Sequence, residues 1–470
     1  MLIVFVCVLI AIANSTTLHY HITIFDSIFK MSTFIINGGK KLHGTIEAGS
    51  GKNAPIALLC ASLMVKGKVR LTEMSRVDEV ESMLGIFDSI GVKYSWEDEG
   101  TLVLNAAGEL DTGNIDKKLC AETRVVLLLM GALAEREKSY KLYKSGGCLL
   151  CNRTVKPHIF ALEKFGVKVL SREKYYEVNN SPLHAAEVVM YESGDTATEN
   201  AIMAAVLAPG TSVIKYASAN YMVQDMCHFL VAAGAEIQGI GTTTLTITGV
   251  KKLHDVAEYA VAPDPVDAMA WISLAITAKS PLLIKNCSTD FLDLELEHLR
   301  IMGQKFDIVR RYRSRNTHFP LADIKIIPGH LTALPDKLHG RPYPGLNIDN
   351  VPLFVPILTQ AKGRTLVHEW VYENRALYYL EMQKLGANVI LLDPHRALIE
   401  GPTKLIANEL ICPPALRPAM AVLIAMLAAR GTSVLRNVGM IERGYDRLVE
   451  RLQNVGALIE RESYGIKNLI

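Results

Sequence analysis

Apolar and polar positions along this 470-residue chain fall into six copies of one phrase. Each copy closes an amphipathic stretch with a glycine and resumes as an alternating strand. The phrase reads FDSIGVKYS at Gly91, LEKFGVKVL at Gly166, LVAAGAEIQ at Gly234, LRIMGQKFD at Gly303, MQKLGANVI at Gly386 and LQNVGALIE at Gly456. Successive glycine numbers differ by 75, 68, 69, 83 and 70. A steady period with loops of varying length marks a repeat architecture.

Upstream of each phrase lies an alanine-rich apolar segment: IALLCASLM, RVVLLLMGALA, NAIMAAVLA, DAMAWISLAI, LFVPILTQA and AMAVLIAMLAA. A turn and a strand follow it, as in VRLTE, SVIKYA and PLLIKN. One unit therefore reads strand–helix–strand–helix with two further strands. The first helix is apolar on most faces and belongs inside the protein. The second carries Val80, Met83, Leu84 and Phe87 at helical spacing, so one of its faces meets solvent. Its terminal glycine predicts a left-handed cap. The predicted class is α/β with helices inside and sheets outside. The length exceeds one ordinary core, which favours two domains of three βαβαββ-type units each.

The net charge of +2 gives no strong pull toward nucleic acid or membrane. Eight scattered cysteines, most of them in apolar helices, fit a reducing compartment and a cytoplasmic protein. Cys148 and Cys151 form a lone C-x-x-C without a second pair or nearby ligand histidines, so it is not read as a zinc site. Residues 1–30 include the apolar run LIVFVCVLIAIA. It resembles a signal-peptide core but lacks preceding positive residues and is short for a membrane span. An upstream start-site or gene-model extension is the favoured reading, with the first strand starting at Met31. The basic cluster Arg310, Arg311, Arg313 and Arg315 reads as a solvated hairpin rather than an RNA contact.

Candidate chemistry sits where the repeats break for loops. GSGKNAP (Gly49–Pro55) puts Lys52 and Asn53 at the start of an apolar helix. A lysine there is electrostatically poor unless an anion accompanies it; an exposed linker lysine is the other reading. SGGCLLCNR (Ser145–Arg153) makes Cys148 a loop thiol beside an arginine. It is either a reactive or proton-donating group or a thiol with no role. Arg124, Arg153, Arg375, Arg417 and Arg443 recur at comparable edges of the repeats, where guanidinium forks could converge on phosphate or carboxylate. Each alone is more often a surface ion pair. Asp264, Asp349 and Glu373 are candidate general bases.

GSGKNA, SGGCLLCNR, PYPGLNIDN, YENR and ERGYDRL occur in this order. Together they resemble the UDP-N-acetylglucosamine 1-carboxyvinyltransferase family of enolpyruvyl transferases over about residues 32–460. The resemblance implies two inside-out domains, one at 52–259 and the other at 31–51 plus 260–470. It implies transfer of the enolpyruvyl group of phosphoenolpyruvate to the 3′-hydroxyl of UDP-N-acetylglucosamine, with release of phosphate. It implies Asp349 as the base and Cys148 as the proton donor and fosfomycin target. Lys52, Arg124, Arg153, Arg375 and Arg443 match cationic positions for the donor or the tetrahedral intermediate, and Asn53 matches a sugar contact. Arg417 completes the cationic set. Small-molecule substrates are the only partners implied, with no metal or organic cofactor. Three positions depart from the family pattern: Cys151 for a glycine, Ala415 for an aspartate, and GDTATEN around Thr196 for a serine-valine-glycine segment. Two rivals stand beside this reading. One is 3-phosphoshikimate 1-carboxyvinyltransferase, against which GSGKNA and SGGC argue. The other is a silent sugar-nucleotide-binding paralogue, to which Ala415 lends support.

Overall fold

The computed structural model describes residues 31–144, 154–372 and 375–464. All six repeat glycines adopt positive φ, between 83° and 99°. A side chain in that conformation costs roughly 1–2 kcal/mol, which is why glycine recurs there.

The apolar segments form interior helices. Asn53–Ser62, Asp195–Val206, Pro265–Thr277, Val351–Leu358 and Leu416–Ala428 are each buried over most or all of their residues. Among the described residues, six sheets lie outside them. Each sheet turns one face inward, as alternation along Thr244–Thr248 and Val167–Ser171 shows.

Buried apolar side chains divide into two cores. One runs from Ala54 to Ala262 and takes in Phe291, Phe319 and Leu321. The other joins Phe34–Ala48 to Val266–Ile459. The N-terminal strand Met31–Gly38 lies antiparallel between Gly431–Arg436 and Leu458–Tyr464, near the far end of the chain. Gly44–Glu47 pairs parallel with Leu282–Ser288. From Met31 the described chain therefore runs in the second core, crosses to the first near Lys52, and returns near Asp264.

The arginine-rich segment is a hairpin of Lys305–Arg313 and Pro320–Ile327. Arg310, Arg311, Arg313 and Arg315 are exposed, as the solvated-hairpin reading expects, while the tip also touches the first core. Asn316 Nδ2 donates to Asp225 Oδ1 at 3.0 Å and to the Ala260 carbonyl at 2.9 Å. The His318 ring stacks on His228 with centroids 3.8 Å apart, and Arg315 pairs with Glu258 at 2.7 Å.

One interior helix departs from expectation. RVVLLLMGALA forms a 3₁₀ turn, Arg124–Leu128, followed by a short α-helix, Leu129–Ala132. The Asn200 carboxamide is the cause. Its Oδ1 accepts the Gly131 N–H at 2.7 Å and its Nδ2 donates to the Leu127 carbonyl at 3.0 Å. An α-helix would join those two backbone groups directly, so the side chain is spliced into the ladder. A Cβ on Gly131 would lie 2.7 Å from the Asn200 carbonyl, so only glycine permits the approach. Asn200→Ala leaves both buried backbone groups without this bridge. We expect a loss of about 2 kcal/mol or more, read as a lower urea midpoint at unchanged slope.

Candidate active site

The N-termini of the interior helices meet where the two cores adjoin. Lys52 is the N-cap of Asn53–Ser62 and Asp264 the N-cap of Pro265–Thr277. They come together at Gly51, where an added Cβ would fall 2.2 Å from Asp264 Oδ2. Asp349 immediately precedes Asn350, the N-cap of Val351–Leu358, and Arg417 lies in the first turn of Leu416–Ala428. Each helix end carries roughly half a positive charge, so their junction favours anions.

The second core contributes a carboxylate held among guanidiniums. Arg375 Nη2 lies 3.3 Å from Asp349 Oδ1, and Arg417 Nε lies 3.7 Å from Oδ2. Arg417 also reaches Asp264 at 3.4 Å and stacks over the Tyr445 ring. Both arginines are only 3% exposed. Arg417 Nε and Nη1 are buried without a hydrogen-bond partner among the described residues. Such donors are rare in a folded protein and usually await water or a ligand.

The loop bearing Asp349 is braced on both sides. Asn347 Oδ1 accepts the Asp349 N–H at 2.9 Å. Buried Glu295 accepts the Asn347 N–H and an Asn350 Nδ2 hydrogen at 3.1 and 2.7 Å. Arg375 is fixed from behind by Glu369 at 3.3 Å, which accepts hydrogen bonds from Tyr378 and Tyr379. Burial pushes the Glu369 carboxyl up, against the pull of Arg375. Burial raises the Asp264 carboxyl to about 6, with Arg417 opposing it.

The first core contributes Glu79, around which cations from both cores are arranged. Lys52 Nζ lies 3.0 Å from Glu79 Oε2, and Arg443 Nη2 lies 2.8 Å from Oε1. The Thr123 hydroxyl donates to the same Oε1 at 2.6 Å. Arg443 also donates to the Glu122 carbonyl at 2.9 Å. Burial alone would push the Glu79 carboxyl up, but Lys52, Arg443 and Thr123 outweigh it and bring it down to about 2. Arg124 donates to the Thr154 carbonyl at 3.0 Å, and Asn53 opens the helix beside Lys52. Asp195, held by Ser218 and Asn220, is raised by burial and then by the charge of Asp349 across the junction.

Lys52 and Arg443 are thus brought together, as are Asp349, Arg375 and Arg417. Cys148, Cys151, Arg153 and Glu373 lie outside the described residues. Sequence reasoning missed Glu79, Glu295 and Glu369. Glu79 had a readable signal, since it shares a helical stripe with Met83 and Ile86, both buried. A carboxylate on a core-facing stripe calls for a cationic partner.

Two inside-out α/β units with converging cations define an enolpyruvyl transferase, and comparison with known proteins agrees. The family model for EPSP synthase (3-phosphoshikimate 1-carboxyvinyltransferase) matches residues 36–452. The enolpyruvyl transferase NikO from Streptomyces tendae superposes with a TM-score of 0.80 at 22% identity, covering 93% of this chain and all of that one. EPSP synthase from Acinetobacter baumannii gives 0.68 at 15% identity, covering 92% of this chain. A UDP-N-acetylglucosamine 1-carboxyvinyltransferase from Bradyrhizobium diazoefficiens is 33% identical over 91% of this chain and 97% of its own length. The protein of that name from Treponema denticola is also 33% identical, over 92% and 99%. Within the enolpyruvyl transferases, the chain belongs to the UDP-N-acetylglucosamine 1-carboxyvinyltransferase family.

The lowered Glu79 carboxyl fixes a pH dependence. A group depressed from 4.5 to about 2 contributes stability that is fully present above pH 4.5 and is lost as pH falls toward 2. The size is about 3 kcal/mol. The stability difference between wild type and Glu79→Gln is therefore expected to be constant above pH 5 and to shrink toward pH 2 in urea titrations at stepped pH.

Proposed function

We propose that the chain transfers the enolpyruvyl group of phosphoenolpyruvate to the 3′-hydroxyl of UDP-N-acetylglucosamine, releasing phosphate. The observation that carries this reading is the buried Arg417 guanidinium, with unpartnered donors beside a carboxylate at the junction of the two cores. Family membership supplies the substrates.

In this reading Asp349 takes the acceptor hydroxyl proton. Its braced loop and 30% exposed side chain leave it rigid yet reachable. The acceptor oxygen adds to the central carbon of the donor while Cys148 protonates the methylene. The tetrahedral intermediate then loses phosphate and a proton to restore the double bond. Arg124, Arg153, Arg375, Arg417, Arg443 and Lys52 stabilise the charge of donor and intermediate from both sides of the junction, and Asn53 contacts the sugar. Preorganised cations in a water-poor site are well suited to this, because they need no rearrangement as charge shifts. The two domains, 52–259 and 31–51 with 260–470, close around the substrates. The product serves peptidoglycan synthesis in the cytoplasm, and with it cell shape and division. Cys148 is the residue a fosfomycin-type epoxide alkylates.

The test is phosphate release by residues 31–470. Release is expected with UDP-N-acetylglucosamine and not with shikimate 3-phosphate; the reverse pattern would overturn the acceptor assignment. Asp349→Asn keeps the loop's shape but removes the base, and turnover is expected to fall by about 10²–10⁴-fold.

A further inference from the structure

Glu79 has no part in the chemistry just described, yet three groups of the candidate site end on it. It occupies the first turn of Asp78–Ser89, where its side chain is only 4% exposed. Its two oxygens are shared between cations of different origin. Oε2 takes Lys52, from the first core, and Oε1 takes Arg443, which lies near the C-terminus in the part of the chain packed into the second core. The same Oε1 accepts from Thr123, the residue preceding Arg124. Among the described residues the Arg443 guanidinium donates to the first-core segment, to Glu79 and to the Glu122 carbonyl.

Charge and reach decide what such a group can do. One carboxylate against two cations leaves a net positive charge, so the site still attracts an anion. Removing the carboxylate would leave Lys52 and Arg443 repelling each other across a few ångströms in a poorly solvated place. Glu79 cannot swing away to become exposed, because its helix is anchored by Val80, Met83, Leu84 and Phe87, all buried. A buried anion of fixed position holds mobile side chains in one geometry at no cost when ligand arrives.

We infer that Glu79 is a positioning residue that fastens Lys52, Arg443 and the Thr123–Arg124 turn into one anion-binding arrangement across the two cores before the donor binds. The role in turnover rests on the enolpyruvyl-transfer reading; the fastening itself does not. Glu79 touches no reacting atom, so its effect falls on the anionic donor more than on the sugar nucleotide.

The experiment compares wild type, Glu79→Gln and Glu79→Asp. Gln keeps the size and the Thr123 hydrogen bond but loses the charge; Asp keeps the charge and loses one methylene. With Gln, KM for phosphoenolpyruvate is expected to rise about 10- to 100-fold, the range of a hydrogen bond to a charged group. KM for UDP-N-acetylglucosamine is expected to stay within about threefold. Asp is expected to recover most of the donor affinity. A Gln variant within threefold of wild type, or Gln and Asp equally impaired, would overturn the inference. A second readout is independent of turnover. Amide hydrogen exchange of the ligand-free protein is expected to quicken at residues 439–447 in Glu79→Gln, because Arg443 loses its main anchor. If wild type releases no phosphate, the transferase reading fails and exchange alone decides. Faster exchange at 439–447 supports the fastening, and unchanged exchange there rejects it.

Discussion

Positive charge gathered at one junction is the condition that the rest of this molecule is arranged around. Helix ends, Lys52 and several arginines meet there, and bare cations in a low-dielectric place repel strongly. Buried carboxylates answer them in turn: Glu79 for Lys52 and Arg443, Glu369 for Arg375, Asp264 for Arg417. Asp349 is shared between Arg375 and Arg417, and two donors of Arg417 still lack a hydrogen-bond partner among the described residues, so the compensation is geometrically incomplete.

Interior helices and exterior sheets make such a junction possible. A helix buried around its whole circumference, such as Pro265–Thr277, needs cover on every side, and the sheet of Leu282–Ser288 and Pro320–Ile327 together with the helices Val351–Leu358 and Leu416–Ala428 provides it. Only the helix ends remain unclad, so that is where polar chemistry collects. The glycine caps reverse the chain tightly enough for each outer helix to return into a sheet strand. The hairpin tip at Asn316 and His318 adds a second joint between the cores, through the Asp225 carboxylate and the His228 ring.

Much of this was legible in the sequence, for reasons that vary with the feature. The six glycines, the apolar helices and most strands follow local rules: left-handed caps, period 3.6 and period 2. Asp349, Arg375 and Arg417 were each named as candidates from the sequence, but their pairing was not legible, because 26 and 68 residues separate Asp349 from the two arginines by their numbers. The break at Leu128 was not legible, since it depends on Asn200 reaching in from another helix. Glu295 and Glu369 were missed because a glutamate on a helix face or strand end normally meets solvent. Only the fold shows that these two are enclosed.

The departure at Ala415 can be weighed on the same terms. Ala415 is the N-cap of Leu416–Ala428 and offers no side-chain acceptor to the helix end. A missing carboxylate there would matter to function if it left Arg417 unheld. It does not: Arg417 is tied to Asp264 at 3.4 Å and to Asp349 at 3.7 Å, and rests on Tyr445. The loss therefore falls on helix capping, worth about 1 kcal/mol, and leaves one fewer negative charge near the unpartnered Arg417 donors. Fewer counter-charges make the guanidinium a better anion site, not a worse one. Ala415 is accordingly weak support for a silent paralogue, since the group beside it keeps both its anchors and its free donors.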